Sequence, residues 1–416
     1  MAALPRPIRC HDCDLLHEVE EVPPGSRALC GRCGAVLLAN KPETVERSIA
    51  LALASLFFWI VANTFPFLTM EIGGRSEPSR LASGVTGLWA DGFWELALLV
   101  LLFAVVFPAL KIASWLAVLV PLHLGRRPRY LTPLFRLVEL LHPWAMTEVF
   151  LLGVLVSYSK IADMASISLG PALFAFVALI VTMIWTDLSL DTTEVWDRIE
   201  APPEPPLADA TAGTLLVGCP TCDLVSALPE TGGAVHGRCP RCGSSLHRRK
   251  ANSTSRAWAL VVAALILYAP ANLYPVMTLV SFGESTSATI LGGVQELITA
   301  GMLPLALLIF FASITVPVLK LAGLAFLLIS VQRRSAWRTR ERTVLYRLVE
   351  SVGRWSMLDI FVLAILAGLV RLGNIATIEP GAGAISFAAV VVITMFGAMC
   401  FDPRLLWDAA GANDGR

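Results

Sequence analysis

Between Leu96 and Val120 the chain reads LALLVLLFAVVFPALKIASWLAVLV, 25 residues in which Lys111 is the sole ionisable side chain. About 20 apolar residues cross the ~30 Å hydrocarbon layer of a bilayer as a helix, and only helices or closed barrels satisfy their backbone groups there. The sequence holds eight such blocks, roughly at 48–70, 96–120, 145–164, 171–190, 257–279, 303–330, 357–376 and 384–401. They make the chain 56% hydrophobic and only 15% charged, where a soluble domain carries about 25% charge. The expectation is an all-α polytopic membrane protein with eight spans.

The charges are sorted by side. The loop at 123–143 carries Arg126, Arg127, Arg129 and Arg136, and the loop at 331–356 carries seven arginines. The connections at 165–171, 280–300 and 377–383 carry no Lys or Arg; only 71–95 departs from the pattern. The positive-inside bias puts the arginine loops and both termini in the cytoplasm. The polar, cysteine-bearing first 45 residues do not read as a signal peptide. Net charge is zero, so no global basic field favours nucleic acid.

Self-comparison shows a tandem duplication. Cys10, Cys13, Cys30 and Cys33 recur 209 residues on as Cys219, Cys222, Cys239 and Cys242. The same offset carries Asn63 to Asn272, Pro66 to Pro275, Gly84 to Gly293, Pro108 to Pro317 and Lys111 to Lys320. After the arginine loop the offset becomes 211, taking Arg136 to Arg347, Glu139 to Glu350, Glu148 to Asp359, Lys160 to Arg371 and Trp196 to Trp407. Each copy is a polar cysteine head followed by four spans. An even number of spans makes the two copies parallel rather than inverted. The division is head 1 at 1–47, membrane module 1 at 48–199, a Pro/Ala/Glu-rich linker at 200–213, head 2 at 214–256, module 2 at 257–402 and a tail at 403–416.

Each head pairs two CxxC knuckles 16 residues apart, the spacing of a tetrahedral four-thiolate zinc site. Gly34 and Gly243 suit the turn behind a knuckle. Reduced cytosolic thiols argue against disulfides, and a head this small takes most of its folding energy from metal. Two zinc ions, one per ribbon, are expected; rubredoxin-type iron and a redox pair are the competing readings, the latter without its βαβ surroundings. His11 and His17 are bystanders, and the basic run His247–Lys250 reads as an anchor to lipid headgroups.

A lysine at mid-membrane costs about 2.5–3.5 kcal/mol on insertion scales. Lys111 lies about 10 residues from the cytoplasmic end of its run, or ~15 Å, too deep for snorkelling alone. The third span of each copy offers an acid, so Lys111 is expected to meet Glu148 and Lys320 to meet Asp359. Asn63 and Asn272 are candidate hydrogen-bond partners, and the carbonyls freed by Pro108 and Pro317 are candidate acceptors. Lys160 and Arg371 lie ~18 Å from the acids along their helices and complete the candidate polar network. Ionisable groups at such depth mark a substrate path, an ion site or a proton relay, with a structural clamp as the plain alternative.

Together these residues resemble the paraquat-inducible protein A family over essentially the whole chain. The match rests on the paired CxxC heads, N-x-x-P closing the first span, P-x-x-K in the second, and R-L-V-E before W-x-M-x-[DE]-[VI]-F in both copies. The closing FDPRLLWD at 401–408 matches too, degraded to SLDTTEVWD at 189–197. The resemblance implies a Gram-negative inner-membrane protein with cytoplasmic zinc ribbons. It also implies a membrane-anchored MCE-domain partner forming a periplasmic tunnel, and phospholipid as cargo.

With the resemblance, the leading reading is a non-enzymatic, lipid-handling transporter subunit in which Lys111, Glu148, Lys320 and Asp359 form a protonation-linked switch. No Walker motif is present, so a proton or ion gradient is the expected energy source, and no nucleophile–base–orienter set points to hydrolysis. An anchoring scaffold whose heads recruit a partner is the alternative. A redox enzyme using the cysteines is a third.

Overall fold

The computed structural model describes residues 6–20, 22–72, 75–90, 92–145, 147–161, 166–200, 214–229, 236–281, 284–369 and 376–411. Each head is a pair of antiparallel hairpins. In the first, β1 (Arg6–Arg9) pairs with β2 (Leu16–Val19) and β3 (Arg27–Leu29) with β4 (Val36–Ala39). A CxxC turn lies between the strands of each hairpin and closes on a left-handed residue, Asp14 at φ 62° and Gly34 at φ 73°. The left-handed region costs glycine nothing.

Helix α1 (Thr44–Thr64) leads into a hairpin of β5 (Leu68–Ile72) and β6 (Arg75–Ser79). Next come α2 (Leu81–Ala90), the 30-residue α3 (Trp94–His123), α4 (Leu131–Leu141) and α5 (Thr147–Ile161). Strand β7 (Ser166–Leu169), α6 (Pro171–Ser189) and α7 (Thr192–Ile199) complete the first repeat. The second head holds β8 (Thr214–Gly218), β9 (Val225–Pro229), β10 (His236–Arg238) and β11 (Ser245–His247). It is followed by α8 (Ser253–Leu273), β12 (Met277–Ser281), β13 (Glu284–Ala288), α9 (Ile290–Thr299) and the 30-residue α10 (Leu303–Gln332). Then come α11 (Thr339–Val352), α12 (Leu358–Leu369), β14 (Ala376–Pro380), α13 (Ala382–Cys400) and α14 (Arg404–Ala409).

Six helices, α1, α3, α6, α8, α10 and α13, are long and apolar enough to cross a membrane. The third block of each copy gives a shorter helix, 15 residues in α5 and 12 in α12, or ~22 and ~18 Å of axial rise. Six of the eight expected spans are complete among the described residues; the third block of each copy continues into residues outside them, 162–165 after α5 and 370–375 after α12. The described parts of α5 and α12 lie at the centre. Gly153 of α5 approaches Phe361 of α12 so closely that a Cβ would sit 3.1 Å from the Phe361 Cβ. Beside it the rings of Phe150 and Phe361 meet edge-on at 5.4 Å, and Leu358, Phe361 and Ala364 are buried.

The expectation of an all-α membrane portion is also corrected. At the end away from the ribbons, antiparallel β6–β5–β7 and β13–β12–β14 sheets close the two repeats. Their segments were too short and polar to register beside the apolar blocks. The repeated glycines there have a steric cause. A Cβ on Gly170 would lie 2.1 Å from the Pro66 carbonyl oxygen, and one on Gly381 2.1 Å from that of Pro275. Those contacts tie the fourth helix of each repeat to the end of the first.

Helix α3 widens to π geometry over Leu101–Val106 and α10 over Phe311–Thr315, each just before its internal proline. Proline removes a backbone donor and crowds the preceding turn, and a π-bulge absorbs both effects. The arginine loops are not loops throughout. They contain α4 and α11, which bury Leu131, Phe135, Val138 and Leu141 in one case and Thr343, Tyr346 and Val349 in the other, at helical spacing.

Candidate functional site: two thiolate clusters and a polar centre within the membrane helices

All eight head cysteines are buried. In each head the four sulfurs lie within 4.8 Å of one another. Cys10 Sγ is 3.4 Å from Cys33 Sγ and Cys13 Sγ 3.4 Å from Cys30 Sγ; in head 2 the matching separations are 3.4 and 3.5 Å. A tetrahedron of thiolates about 2.3 Å from zinc has edges of about 3.8 Å, so either cluster fits a metal ion such as zinc. Hydrogen bonds among the crowded sulfurs drive the Cys33 and Cys242 thiols far down and the Cys13 and Cys222 thiols far up. A bound cation is what would let all four sulfurs of a cluster ionise together. His17 is more than a bystander, since its Nε2 lies 3.2 Å from Cys30 Sγ.

The second centre forms where α3, α6 and the end of α4 converge. Lys111 is 2% exposed, yet its partner is not Glu148. Its Nζ donates to Asp187 Oδ2 at 2.8 Å and lies 3.2 Å from His142 Nδ1, which is itself 3.3 Å from Asp187 Oδ1. The ammonium also sits 4.8 Å from the centroid of the Trp115 ring. Glu148 is half-buried at the start of α5, and no ion pair joins it to Lys111 among the described residues. The last turn of α6 reaches the lysine instead. Nor does the ammonium turn to a carbonyl freed by Pro108, because the carboxylate offers a charge-assisted bond. Asp187 is the only ionisable side chain in the 171–190 block, the same signature that singles out Lys111, but sequence reading passed over it and over His142.

The second repeat lacks both partners. At the 211-residue offset Asp187 becomes Ala398 and His142 becomes Gly353. Lys320, 3% exposed, makes no hydrogen bond among the described residues. A Cβ on Gly353 would fall 2.8 Å from its Nζ. The ammonium thus lies against the place where a side chain would begin. The expected partner Asp359 belongs to α12, and its side chain lies outside the described residues. So does that of Lys160 in α5, and Arg371 lies outside them altogether.

Asn63 Nδ2 donates to Trp59 O at 2.8 Å and Asn272 Nδ2 to Tyr268 O at 2.9 Å. Both bonds are local, one turn back in the same helix, at the end remote from the ribbons. The asparagines relieve their own helix ends and take no part in the lysine centres.

At the ribbon end the Lys111 centre opens on a cavity of about 320 Å³ between head 1 and module 1, with Asp223 of head 2 also in its wall. Its walls include Arg9 and Lys41 from the head, Glu139 and His142 from the α4 side, and Asp187 and Asp191 from the α6 side. Lys41 Nζ donates to Leu190 O at 2.7 Å, satisfying a carbonyl left open at the end of α6. Burial pushes the Glu139 carboxyl up to about 7 against the opposing pull of His142.

Two of the three cations in the basic run after head 2 are engaged within the chain. Arg249 bridges Asp408 at 2.6 Å and Asp14 at 2.8 Å. Lys250 Nζ donates to Met399 O at 2.7 Å and Phe401 O at 3.2 Å. Carboxylates and bare helix-end carbonyls of this chain have claimed both cations.

The profile of paraquat-inducible protein A matches residues 45–200 and again 254–411. The chain belongs to the paraquat-inducible protein A family. The two matched segments coincide with the two membrane modules. Among relatives, the chain is 36% identical to the intermembrane transport protein PqiA of Escherichia coli over 403 residues, 96% of this chain and 95% of that one. It is 30% identical to the lipophilic envelope-spanning tunnel protein A of Escherichia coli over 408 residues, 98% of this chain and 92% of the other. A probable intermembrane transport protein of Haemophilus influenzae is 28% identical over 417 residues, 96% of this chain and 95% of that one. No solved structure matches the chain.

Proposed function

We propose that this paraquat-inducible protein A family member is the inner-membrane subunit of an envelope-spanning phospholipid transport system in a Gram-negative bacterium. It would load or unload a periplasmic tunnel built by a membrane-anchored MCE-domain partner, with its ribbons, its N-terminus and its C-terminus in the cytoplasm. The names of the relatives support intermembrane transport. The observation that carries a mechanism is the Lys111–Asp187–His142 centre, in which a lysine buried among membrane helices meets an acid and a histidine that line a ribbon-side cavity.

A buried ion pair is a poor stabiliser, since desolvating two charges offsets their attraction. Inside a membrane such groups belong to substrate paths or proton relays. In our reading, proton exchange at the lysine centres couples a transmembrane gradient to rearrangement of the helices around them. Lys320, with its ammonium unmatched among the described residues, is the more readily switched of the two. Asp359, Lys160 and Arg371 remain candidates for the same network on sequence grounds, and Glu148 one for a separate role at the start of α5. The heads would hold structural zinc rather than iron, with no dithiol left over for redox work. A scaffold that recruits a partner through the heads is disfavoured, because Arg32 and Arg241 on the two knuckles are engaged within the chain.

The test is phospholipid transfer by the protein reconstituted in vesicles with its MCE-domain partner, under an imposed proton gradient. A Lys320→Met variant that inserts and folds should lose at least ten-fold in rate. Transfer at the unaltered rate, or transfer indifferent to the gradient, would remove the coupling mechanism.

A further inference from the structure

Each head touches its own repeat, through Arg6–Asp197 and Lys41–Leu190 O in head 1 and Arg249–Asp408 in head 2, but turns its cysteine core to the other. The cysteine core of head 1 packs with Tyr346, Phe401, Leu406 and Trp407 of the second repeat. The Arg32 guanidinium stands 5.4 Å from the centroid of the Trp407 ring. The cysteine core of head 2 packs in one cluster with Val195, Trp196 and Ile199 at the end of the first repeat. There the Arg241 guanidinium stands 6.0 Å from the Trp196 ring. Arg32 and Arg241 are equivalent at the 209-residue offset, and Trp196 and Trp407 at the 211-residue offset. One contact has been built twice, each time across the duplication.

Each tryptophan also has an aromatic residue of its own repeat beneath it. Trp196 meets the Phe135 ring of α4 at 5.0 Å, and Trp407 shares its buried cluster with Tyr346 of α11, equivalent to Phe135. Polar bonds reinforce each junction. Arg241 pairs with Asp197 and donates to Glu200 O at 3.1 Å. In head 1, Arg347 of α11 donates to Asp12 Oδ2 at 2.6 Å and to the Cys33 carbonyl at 3.3 Å, and its Nη2 lies 3.3 Å from Cys33 Sγ. A guanidinium on a thiolate ligand ties the metal site to the helix that delivers Gly353 to Lys320. Arg249 then closes the circle between head 2, Asp14 of head 1 and Asp408 of α14.

We propose that the ribbons are reciprocal, metal-dependent clasps, each docking an arginine-bearing knuckle on the terminal tryptophan helix of the other repeat. Neither knuckle has an apolar core large enough to hold this face without its metal. Metal in the ribbons therefore fixes how the two membrane modules sit against each other at the ribbon end. This inference stands apart from the transport reading and needs no lipid for its test.

The test is amide hydrogen exchange on the full-length protein, with metal content measured in parallel. Replacing Cys10 and Cys13 by Ser should remove one metal and deprotect 404–409 at least ten-fold, and 192–199, which loses only its Arg6–Asp197 pair, far less. Replacing Cys219 and Cys222 by Ser should give the opposite pattern. Arg32→Ala and Arg241→Ala, which keep all eight ligands, should keep both metals and deprotect the same crossed segments several-fold. Deprotection of the terminal helix of the same repeat instead, or no change in either helix, would overturn the proposal. Unaltered protection in both arginine variants would remove the arginine–tryptophan contact from it.

Discussion

The Lys320 ammonium stands 2.8 Å from where a Cβ on Gly353 would be, while at the equivalent position of the first repeat His142 lies 3.2 Å from Lys111 Nζ. The duplication has kept both lysines and dropped one set of partners. The two should therefore answer in opposite senses to the same change. Lys111→Met leaves the partly buried Asp187 with His142 alone and should cost about 1–3 kcal/mol, the penalty for a buried acceptor that loses its partner. Lys320→Met strands nothing among the described residues and removes a desolvated charge, so stability should hold or rise by about 1 kcal/mol. Thermal midpoints in detergent give both signs. A fall for Lys320→Met matching that of Lys111→Met would mean that Lys320 has a strong partner after all.

If Lys111 and Asp187 hold each other, their losses will not add. Asp187→Leu alone leaves an ammonium buried at 2% exposure and should be as costly as Lys111→Met. The double variant leaves no buried charge and should recover most of the deficit, since replacing a buried pair by apolar groups is often neutral. The cycle should give a coupling of about 1–3 kcal/mol. Additive losses would deny the pair.

The ribbons and the six long helices could be read directly, because each rests on local sequence: sulfurs at fixed spacing, or unbroken apolar runs. The lysine partners could not. Which acid reaches Lys111 depends on how α6 rotates against α3, and no run of residues near Glu148 or Asp187 records that angle. The packing of the third blocks was hidden for a related reason. Residues 357–376 are as apolar as a span, but apolarity does not say which neighbours a helix takes, and α12 lies against α5 and α2. The run at 247–250 failed likewise. A basic tail looks the same whether headgroups or Asp14 and Asp408 receive it.

Glu139 carries a pH dependence whose direction is fixed by its environment. Burial raises its carboxyl to about 7, against about 4.3 in an unfolded chain. The folded protein thus binds the proton more tightly. The stabilising effect is complete below about pH 4 and is lost as pH rises through about 7, at most about 4 kcal/mol. Glu139→Gln should come closest to the parent protein at about pH 4 and exceed it at pH 8, as read from thermal midpoints. A gap between the two that is constant with pH would show that Glu139 ionises as freely in the fold as in water.

Gly84 and Gly293 occupy the same position of the two repeats and have different surroundings. A Cβ on Gly84 would lie 2.9 Å from the Ala364 carbonyl oxygen, whereas one on Gly293 would have no heavy atom within 4 Å. The cause is that α12 of the second repeat packs on α2 of the first, while α9 has no such neighbour among the described contacts. Backbone cannot yield as a long side chain can, so Gly84→Ala must push α12 away and should cost about 1–3 kcal/mol. Gly293→Ala should be neutral or gain a few tenths from the better helix former. Because α12 also touches α5 through Phe361 and Gly153, the damage from Gly84→Ala should spread to the α5–α12 contact. Hydrogen exchange should then rise in 147–161 as well as in 81–90 for Gly84→Ala, and in neither segment for Gly293→Ala. Equal effects at the two glycines would mean that the repeats meet symmetrically, contrary to the central packing described here.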